Sequence, residues 1–480
     1  MSLAKTIAKN SLMVTLSAVV TKILSLVLTI IIARYLGDIG FGQYSFVFAL
    51  TAIFAVFIAF GMDILVIREV AKDKPKNIAF LINSAFLKSI LSLVSWVVLA
   101  FLIIILKKEP EVNLGIVIIG FCLLPDSLVT SFKAIFSAYE KMEFNTLIEI
   151  FFRTVVVILS LLAIFLRLNL IAIFSASLFA NILSLFLITY VYSNKIGKIK
   201  IEIDYNLCRH IFKTSYAFAL ISFFVVVYLR IDTVMLSIIK GNAAVGRYSA
   251  ANTLCDSLLF ISTAICSAVF PVLSRLYKES KESFENVYEM TFKFLLLLAL
   301  PIAAGITILA DKIILLVYRS GFSGSILALR ILIWSTALIF LNSLLGFVLY
   351  STNKQKIALV TTGIVVLLNI ILNYLFIPKF SYIASSYIAV ITQLLVFICY
   401  FSSISNSIHR VNFIHLFLRP LLSVIVMSFF IYHLRNLNLF ILILSAALIY
   451  SAMLVILKTF SAKDKKVLKE LTSFSKGGAV

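Results

Sequence analysis

The sequence has 480 residues, of which 62% are hydrophobic and only 13% are charged. Soluble domains carry about 25% charged residues, so the composition excludes an ordinary soluble protein and favours a chain embedded in lipid. The net charge of +21 comes largely from basic residues in short runs between apolar segments, as the positive-inside rule requires. Because no basic and aromatic binding pattern accompanies them, we expect no nucleic-acid partner.

Along the chain, apolar segments long enough to cross a bilayer follow one another, and we predict about 14 membrane-spanning α-helices. Their long uninterrupted runs favour helices, which satisfy their own backbone hydrogen bonds in lipid. The first segment is too long for a signal-peptide core, so we expect it to be retained. The predicted spans are 11–34, 42–68, 80–106, 114–139, 146–167, 170–194, 209–238, 246–274, 288–318, 323–350, 357–377, 381–404, 413–433 and 437–458.

Orientation follows from the Lys and Arg residues in the loops. The two termini and the loops on their side hold roughly 24 of these residues, and the opposite loops hold roughly nine, so the positive-inside rule places both termini in the cytoplasm. The C-terminal tail is basic, and it is either a solvated tail or a short amphipathic helix on the anionic inner leaflet.

A short internal repeat links two pairs of predicted spans. The pattern Gly-x4-Gly-x-Tyr-Ser occurs at 37–45, between the first and second spans, and again at 241–249, between the seventh and eighth. Both copies lie on the same side, which predicts two parallel six-helix lobes as in transporters; the alternative is an interfacial turn that arose twice. The predicted parts are an N-terminal lobe (1–194), a cytoplasmic linker (195–208), a C-terminal lobe (209–404), two further spans (405–458) and a basic tail (459–480).

Three stretches resemble the O-antigen-type polysaccharide flippases of the multidrug/oligosaccharidyl-lipid/polysaccharide exporter superfamily. The resemblance covers essentially the whole chain and is carried by Ala33–Gly37 with Gly42–Ser45, by Arg230–Asp232 with Gly241, Gly246, Tyr248 and Ser249, and by Asn353–Lys356 with Asn369, Asn373 and Pro378.

This resemblance implies two lobes around a central cavity and alternating access between the two membrane faces. It implies a polyprenyl-(pyro)phosphate-linked oligosaccharide as substrate, moved from the inner to the outer leaflet. We also expect the plasma membrane as the location and coupling to protons or sodium ions. We expect a monomer without a cofactor and without catalytic activity.

Charged residues inside predicted spans are the candidate site residues. A charge in the bilayer costs about 2.5–3.5 kcal/mol on insertion scales, so it usually faces a cavity or a partner. The cations that could bind an anionic headgroup are Lys22, Lys88, Lys133, Arg153 and Arg230. Two alternatives remain open: Lys88, Lys133 and Arg153 lie nearer the cytoplasmic ends of their spans and could reach the interface by snorkelling, and Arg153 could pair with Glu149 one turn away.

The intramembrane acids are candidates for ion coupling or for pairing with a cation. They are Asp126, Asp232 and Asp256. The cysteines and histidines share no ligand spacing, so we expect neither a metal site nor a disulfide framework.

Three other functions are weighed against the flippase. A drug antiporter or a peptidoglycan-precursor flippase would come from the same superfamily, although drug antiporters usually have two fewer spans. A membrane glycosyltransferase or polymerase would need a large loop with clustered acids or histidines, and the sequence contains no such loop.

Overall fold

The computed structural model describes residues 3–408 and 413–459. Within these ranges the chain is helical and has no strand, which confirms the predicted all-α class. The α-helices are α1 (Leu3–Ala59), α2 (Met62–Lys72), α3 (Asn77–Leu106), α4 (Pro110–Ala138), α5 (Met142–Phe165), α6 (Leu170–Lys195), α7 (Tyr205–Lys240), α8 (Asn242–Glu279), α9 (Lys281–Tyr318), α10 (Ser325–Ser351), α11 (Gln355–Ser407), α12 (Phe413–His433) and α13 (Leu439–Ile456).

Two of these helices are too long for a single crossing. Twelve candidate spans lie in the described residues, and two of them, Val19–Lys72 and Gln355–Asn406, are 54 and 52 residues long, whereas about 20 residues cross a bilayer. Each contains a residue with a positive φ, Gly37 (68°) in α1 and Ser381 (53°) in α11. Two crossings in each long span and one in each of the others give fourteen, as predicted from the sequence.

Large apolar side chains on the outside of the helices show what surrounds them. Phe165, Val97 and Ile104 expose 82%, 71% and 71% of their surface. Soluble monomers rarely leave large contiguous apolar surface open to solvent, and here lipid covers it. The chain is a multi-pass membrane protein.

The described chain divides after Gly246 into two compact units, which we call the first unit and the second unit. Helices α1 to α7 belong to the first unit, together with the first residues of α8, and α9 to α13 belong to the second. The lobe and linker bounds given by the sequence remain predictions. The basic tail beyond Thr459 and residues 409–412 lie outside the described residues.

Loop contacts in the first unit follow the predicted alternation of sides. The Tyr35 hydroxyl donates to the Leu168 carbonyl (2.8 Å), and the Lys108 ammonium donates to the Ser237 carbonyl (2.5 Å). In each contact, an even number of predicted spans lies between the two residues, so both residues belong to the same predicted side of the membrane. At the opposite ends, the contacts are Lys141 to Lys195, Tyr192 to Asn77 and Asp204 to Asn83.

The two copies of the sequence repeat have the same backbone conformation. Gly37 has φ 68° and ψ −175°, and Gly241 has φ 81° and ψ −177°. Residues with a side chain rarely adopt this region, so glycine permits each span to turn directly into the next. The equivalent position, sequence and conformation support a structural repeat over an accidental match.

The second glycine of each copy brings the two turns into backbone contact. A Cβ atom on Gly42 would lie 1.8 Å from the Asn242 carbonyl oxygen, and a Cβ on Gly246 would lie 1.8 Å from the Asp38 carbonyl oxygen. The two contacts are reciprocal because Asn242 and Asp38 occupy the same repeat position. We call this arrangement the glycine contact. Small residues allow such close approach of helices in membranes.

Candidate functional site: a polar cavity in the first unit

A cavity of about 310 Å³ lies among α1, α4, α5 and α6 of the first unit. It is partly polar, which is unusual at membrane depth and marks a candidate functional site. Its lining includes two of the predicted site residues, Asp126 and Arg153. The other polar side chains that line it belong to Ser25, Thr29, Tyr44, Thr51, Cys122, Ser177 and Asn181.

Asp126 and Arg153 bring opposite charges to this cavity. Asp126 on α4 is exposed, and its carboxylate has no hydrogen-bond partner among the described residues. The Nε atom of Arg153 on α5 is buried and likewise has no partner there. The described part of the protein uses the hydrogen-bonding capacity of neither group, so both are available to a polar ligand or to water.

One wall of the cavity is aromatic and fixed in place. The Tyr44 ring lies 4.7 Å from the Phe48 ring and stacks at 6.0 Å on Phe174, centroid to centroid. These separations fall in the favourable range for aromatic pairs. The Tyr44 hydroxyl has no hydrogen-bond partner within the described residues. Sequence analysis missed Tyr44 as a lining residue, although its place in the repeat was the signal.

Three hydroxyl groups on α1 line the same cavity, and their hydrogen-bond donors are already used within the helix. Each donates its proton to the carbonyl four residues earlier in its own helix, so its lone pairs are left as acceptors. The hydrogen bonds run from the Ser25 hydroxyl to the Thr21 carbonyl (2.6 Å), from the Thr29 hydroxyl to the Ser25 carbonyl (2.7 Å) and from the Thr51 hydroxyl to the Val47 carbonyl (2.7 Å).

Lys88 lies away from the lining of this cavity and is fully buried. Its ammonium donates to the Asp63 carboxylate (2.6 Å), to the Ser131 hydroxyl (2.8 Å) and to the Ser127 carbonyl (2.9 Å). Its charge is therefore compensated by an acid on α2 and by dipoles on α4. This arrangement ties three helices together.

Lys133 and Glu149 form a second pair, at 2.5 Å between α4 and α5. The sequence had left open a pair between Glu149 and Arg153. The acid instead binds Lys133 from the neighbouring helix, and Arg153 has no ion pair in the described chain. Spacing along one helix could not reveal this competition from another helix.

Lys22 on α1 is exposed and Arg230 on α7 is half-buried. Neither has a salt bridge or hydrogen bond to the part of the chain that the structure describes. Together with Arg153 they are the predicted cations that lack an acid partner there, and all three belong to the first unit.

The remaining predicted acids lie apart from the cavity lining. Asp232 is 7% exposed, and Asp256 accepts a hydrogen bond from the Asn252 amide at 3.1 Å. Both have further interactions with the protein. Residues 3–408 and 413–459 contain no group of three His, Cys, Asp or Glu side chains that could hold a metal ion.

The second unit contains a larger and nearly apolar groove. Its volume is about 710 Å³, and α8, α9, α12 and α13 line it. Its lining includes Pro301 and Gly305 on α9, Met427 on α12 and Ala447 on α13. Sequence analysis did not identify this groove, because apolar spans look alike whether they face lipid or a groove.

A family model described as polysaccharide biosynthesis protein matches residues 7–277, which is more than half of the chain. The chain belongs to this family. A second model, MatE, matches residues 217–375.

Individual relatives are distant. Over 339 residues the chain is 24% identical to the putative O-antigen transporter of Escherichia coli strain K12, which covers 68% of this chain and 79% of that protein. Over 160 residues it is 28% identical to the probable low-salt glycan biosynthesis flippase Agl15 of Haloferax volcanii, covering 33% of this chain. That match spans about a third (34%) of the length of the relative.

Solved structures show the same fold. The lipid II flippase MurJ in an inward closed conformation has a TM-score of 0.79 at 17% identity, covering 92% of this chain and 97% of that chain. An inward-facing multidrug resistance MATE family transporter has a TM-score of 0.66 at 17% identity, covering 80% and 95%. The chain therefore has the helical transporter fold of these proteins.

Proposed function

We propose that this protein is a flippase that moves a polyprenyl-(pyro)phosphate-linked oligosaccharide from the inner to the outer leaflet by alternating access. The observation that carries the proposal is the pair of environments in one membrane-embedded chain. The first unit holds a polar cavity and cations that have no acid partner in the described chain, and the second unit holds a large apolar groove. A lipid-linked sugar has the same two halves.

Lys22 and Arg230 are the proposed contacts of the (pyro)phosphate. An uncompensated cation inside a membrane is costly unless a ligand or water meets it, and both ammonium and guanidinium groups bind phosphate. Lys88 and Lys133 already have acid partners, so they would contribute less attraction to an anion. Their proposed role is to hold α2, α3, α4 and α5 together.

The groove of the second unit is the proposed site of the polyprenyl chain. Leu, Ile, Phe and Ala side chains form most of its lining, and burial of apolar surface there stabilises an apolar chain without any directional contact. The groove volume of about 710 Å³ falls within the usual ~300–1,000 Å³ of ligand pockets.

Several further parts of the proposal come from the sequence. Both termini lie in the cytoplasm, the membrane is the plasma membrane, and the protein acts as a monomer and not as an enzyme. Proton or sodium coupling would use Asp232 or Asp256. Asp126 is less suited to a cation, because it shares its cavity with the Arg153 guanidinium.

Relatives support the proposal by name: one is called a putative O-antigen transporter and another a probable glycan biosynthesis flippase. Family membership points to the same pathway, since the matching model describes polysaccharide biosynthesis proteins.

The test is lipid flipping in vesicles reconstituted with the full chain and a fluorescent polyprenyl-pyrophosphate sugar. The unmodified protein should move the lipid, and the Lys22→Ala/Arg230→Ala variant should be slower by about tenfold or more, since each hydrogen bond to a charged group contributes roughly 1.5–3 kcal/mol. Arg68→Ala/Lys198→Ala is the matched control, because both residues are exposed and lie outside the cavity.

Other results would replace the proposal. Export of a cationic drug under an ion gradient without lipid movement would identify an antiporter. Movement of a lipid-linked muropeptide in preference to the sugar lipid would identify a peptidoglycan-precursor flippase. Equal rates for the two double variants would reject the headgroup assignment.

A further inference from the structure

The polar cavity of the first unit offers donors and acceptors together. Arg153 contributes its Nε–H group and Tyr44 contributes its hydroxyl, and neither has a hydrogen-bond partner in the described chain. Asp126 contributes a carboxylate that likewise has no partner there. Nothing in the proposed headgroup or tail sites uses these groups. Their ligand must therefore satisfy both kinds of group within one small space.

Charge decides what class of ligand fits. An anion in the cavity would face the Asp126 carboxylate, and a cation would face the Arg153 guanidinium; like charges in a low-dielectric site repel strongly. A neutral molecule that both donates and accepts hydrogen bonds satisfies both residues. Polyols and sugars have this property, because each hydroxyl is one donor and two acceptors.

The shape of the lining favours a ring over an open polyol. Tyr44, Phe48 and Phe152 all line the cavity, and their faces are apolar. A sugar ring has an apolar C–H face and polar edges, so it can lie against an aromatic side chain while its hydroxyl groups meet polar ones. Tyr44 is held by its stacking on Phe174, so this wall needs no reorganisation on binding.

The hydroxyl groups of α1 complete the arrangement. Ser25, Thr29 and Thr51 donate to their own helix, so toward the cavity they act as acceptors for hydroxyl protons. The volume of about 310 Å³ is at the lower end of the ~300–1,000 Å³ of small-molecule pockets. This size suits one sugar ring rather than a whole oligosaccharide.

We infer that this cavity is a saccharide subsite, in which Asp126 and Arg153 bind the hydroxyl groups of one sugar ring of the lipid-linked substrate and Tyr44 supports its apolar face. The inference deepens the proposed function by assigning the sugar to the first unit. It separates the residues that recognise the glycan from Lys22 and Arg230, which would bind the (pyro)phosphate of any such lipid.

The test is equilibrium binding to the purified full chain in lipid nanodiscs, which does not depend on flipping. Two kinds of probe lipid are compared. One is a polyprenyl pyrophosphate without sugar, and the other is a panel of the same lipid carrying glucose, galactose or N-acetylglucosamine. Asp126→Asn and Arg153→Met should raise the Kd of a sugar-bearing lipid by about tenfold or more and leave the Kd of the sugarless lipid unchanged. Controls are Asp73→Asn and Arg68→Met, whose side chains are 43% and 48% exposed.

A smaller change guards against misfolding of the charge variants. Tyr44→Phe keeps the ring and removes only the unpartnered hydroxyl, so it should weaken the sugar-bearing lipid by about threefold to tenfold with the sugarless lipid unaffected. Free monosaccharides, tested alone, should raise the melting temperature of the unmodified protein and not that of Asp126→Asn.

Three other results would overturn the inference. Equal loss of both lipids would assign the cavity to the headgroup, and no loss of either would leave it without a role in binding. If the loss of binding in the variants depends on sodium concentration or pH and not on the sugar, the cavity would be an ion-coupling site. If the sugar panel stabilises the protein but no lipid is flipped, the subsite stands and the flippase proposal fails.

Discussion

Replacement of Gly42 by alanine tests the glycine contact most sharply. The added Cβ would lie 1.8 Å from the Asn242 carbonyl oxygen, whereas ordinary contact begins at 3.4 Å. The two helix turns must therefore separate by about 1.6 Å, since neither a backbone carbonyl nor a Cβ can rotate away. Overpacking typically costs about 1–3 kcal/mol and occasionally more, and we expect the upper end, about 3 kcal/mol.

The assay is thermal unfolding of the purified protein in detergent, monitored by size-exclusion chromatography as the loss of the monodisperse peak. A loss of about 3 kcal/mol should lower the melting temperature by about 5 °C or more. Gly305→Ala is the matched control, because its Cβ meets nothing within 4 Å and alanine favours a helix by about 1 kcal/mol.

Reciprocity gives a second readout. Once the turns have separated for a methyl group at Gly42, a methyl at Gly246 meets less resistance, so the Gly42→Ala/Gly246→Ala variant should lose less stability than the sum of the two single losses. A Gly42→Ala protein as stable as the Gly305→Ala control, or strictly additive losses, would refute the close backbone approach.

Three further predictions follow from single side chains. Lys88→Ala should lower the free energy of unfolding by about 3–5 kcal/mol, because the Asp63 carboxylate would lose its buried cationic partner. Lys76→Ala, at an exposed ion pair, should lower it by only about 0–1 kcal/mol. Similar melting temperatures for the two variants would contradict this prediction. Burial raises the pKa of the Cys208 thiol. In a variant whose only cysteine is Cys208, maleimide labelling followed by mass spectrometry should therefore be slower than labelling of free cysteine at pH 7.5, and it should accelerate as the pH rises. Labelling at the rate of free cysteine would be incompatible with a buried thiol. Ala447→Trp should fill the apolar groove and weaken binding of long polyprenyl lipids but not of short-chain analogues, and equal effects on both would remove the groove from the tail site.

The sequence predicts the membrane architecture well because the signal is local. An apolar run of the right length must become a helix in lipid, and the structure has helices at the predicted spans. The turns at Gly37 and Gly241 were also visible, since a repeated glycine marks a backbone that needs positive φ.

Side-chain pairing was much less predictable, because it depends on contacts between helices. The sequence places Glu149 one turn from Arg153, yet the structure pairs it with Lys133 on another helix. The sequence shows Lys88 and Lys22 only as charges within spans, whereas the structure encloses Lys88 with oxygen atoms and leaves Lys22 exposed. The apolar groove had no sequence signal at all.

The most direct measurement of the central claim is the leaflet position of a polyprenyl-pyrophosphate oligosaccharide in vesicles with and without the unmodified protein. The probe is loaded on one leaflet, and its arrival at the other is followed by a membrane-impermeant reagent that destroys the label. The account predicts rapid, protein-dependent equilibration across the bilayer. Rates equal to those of protein-free vesicles, with the protein folded and correctly inserted, would contradict it.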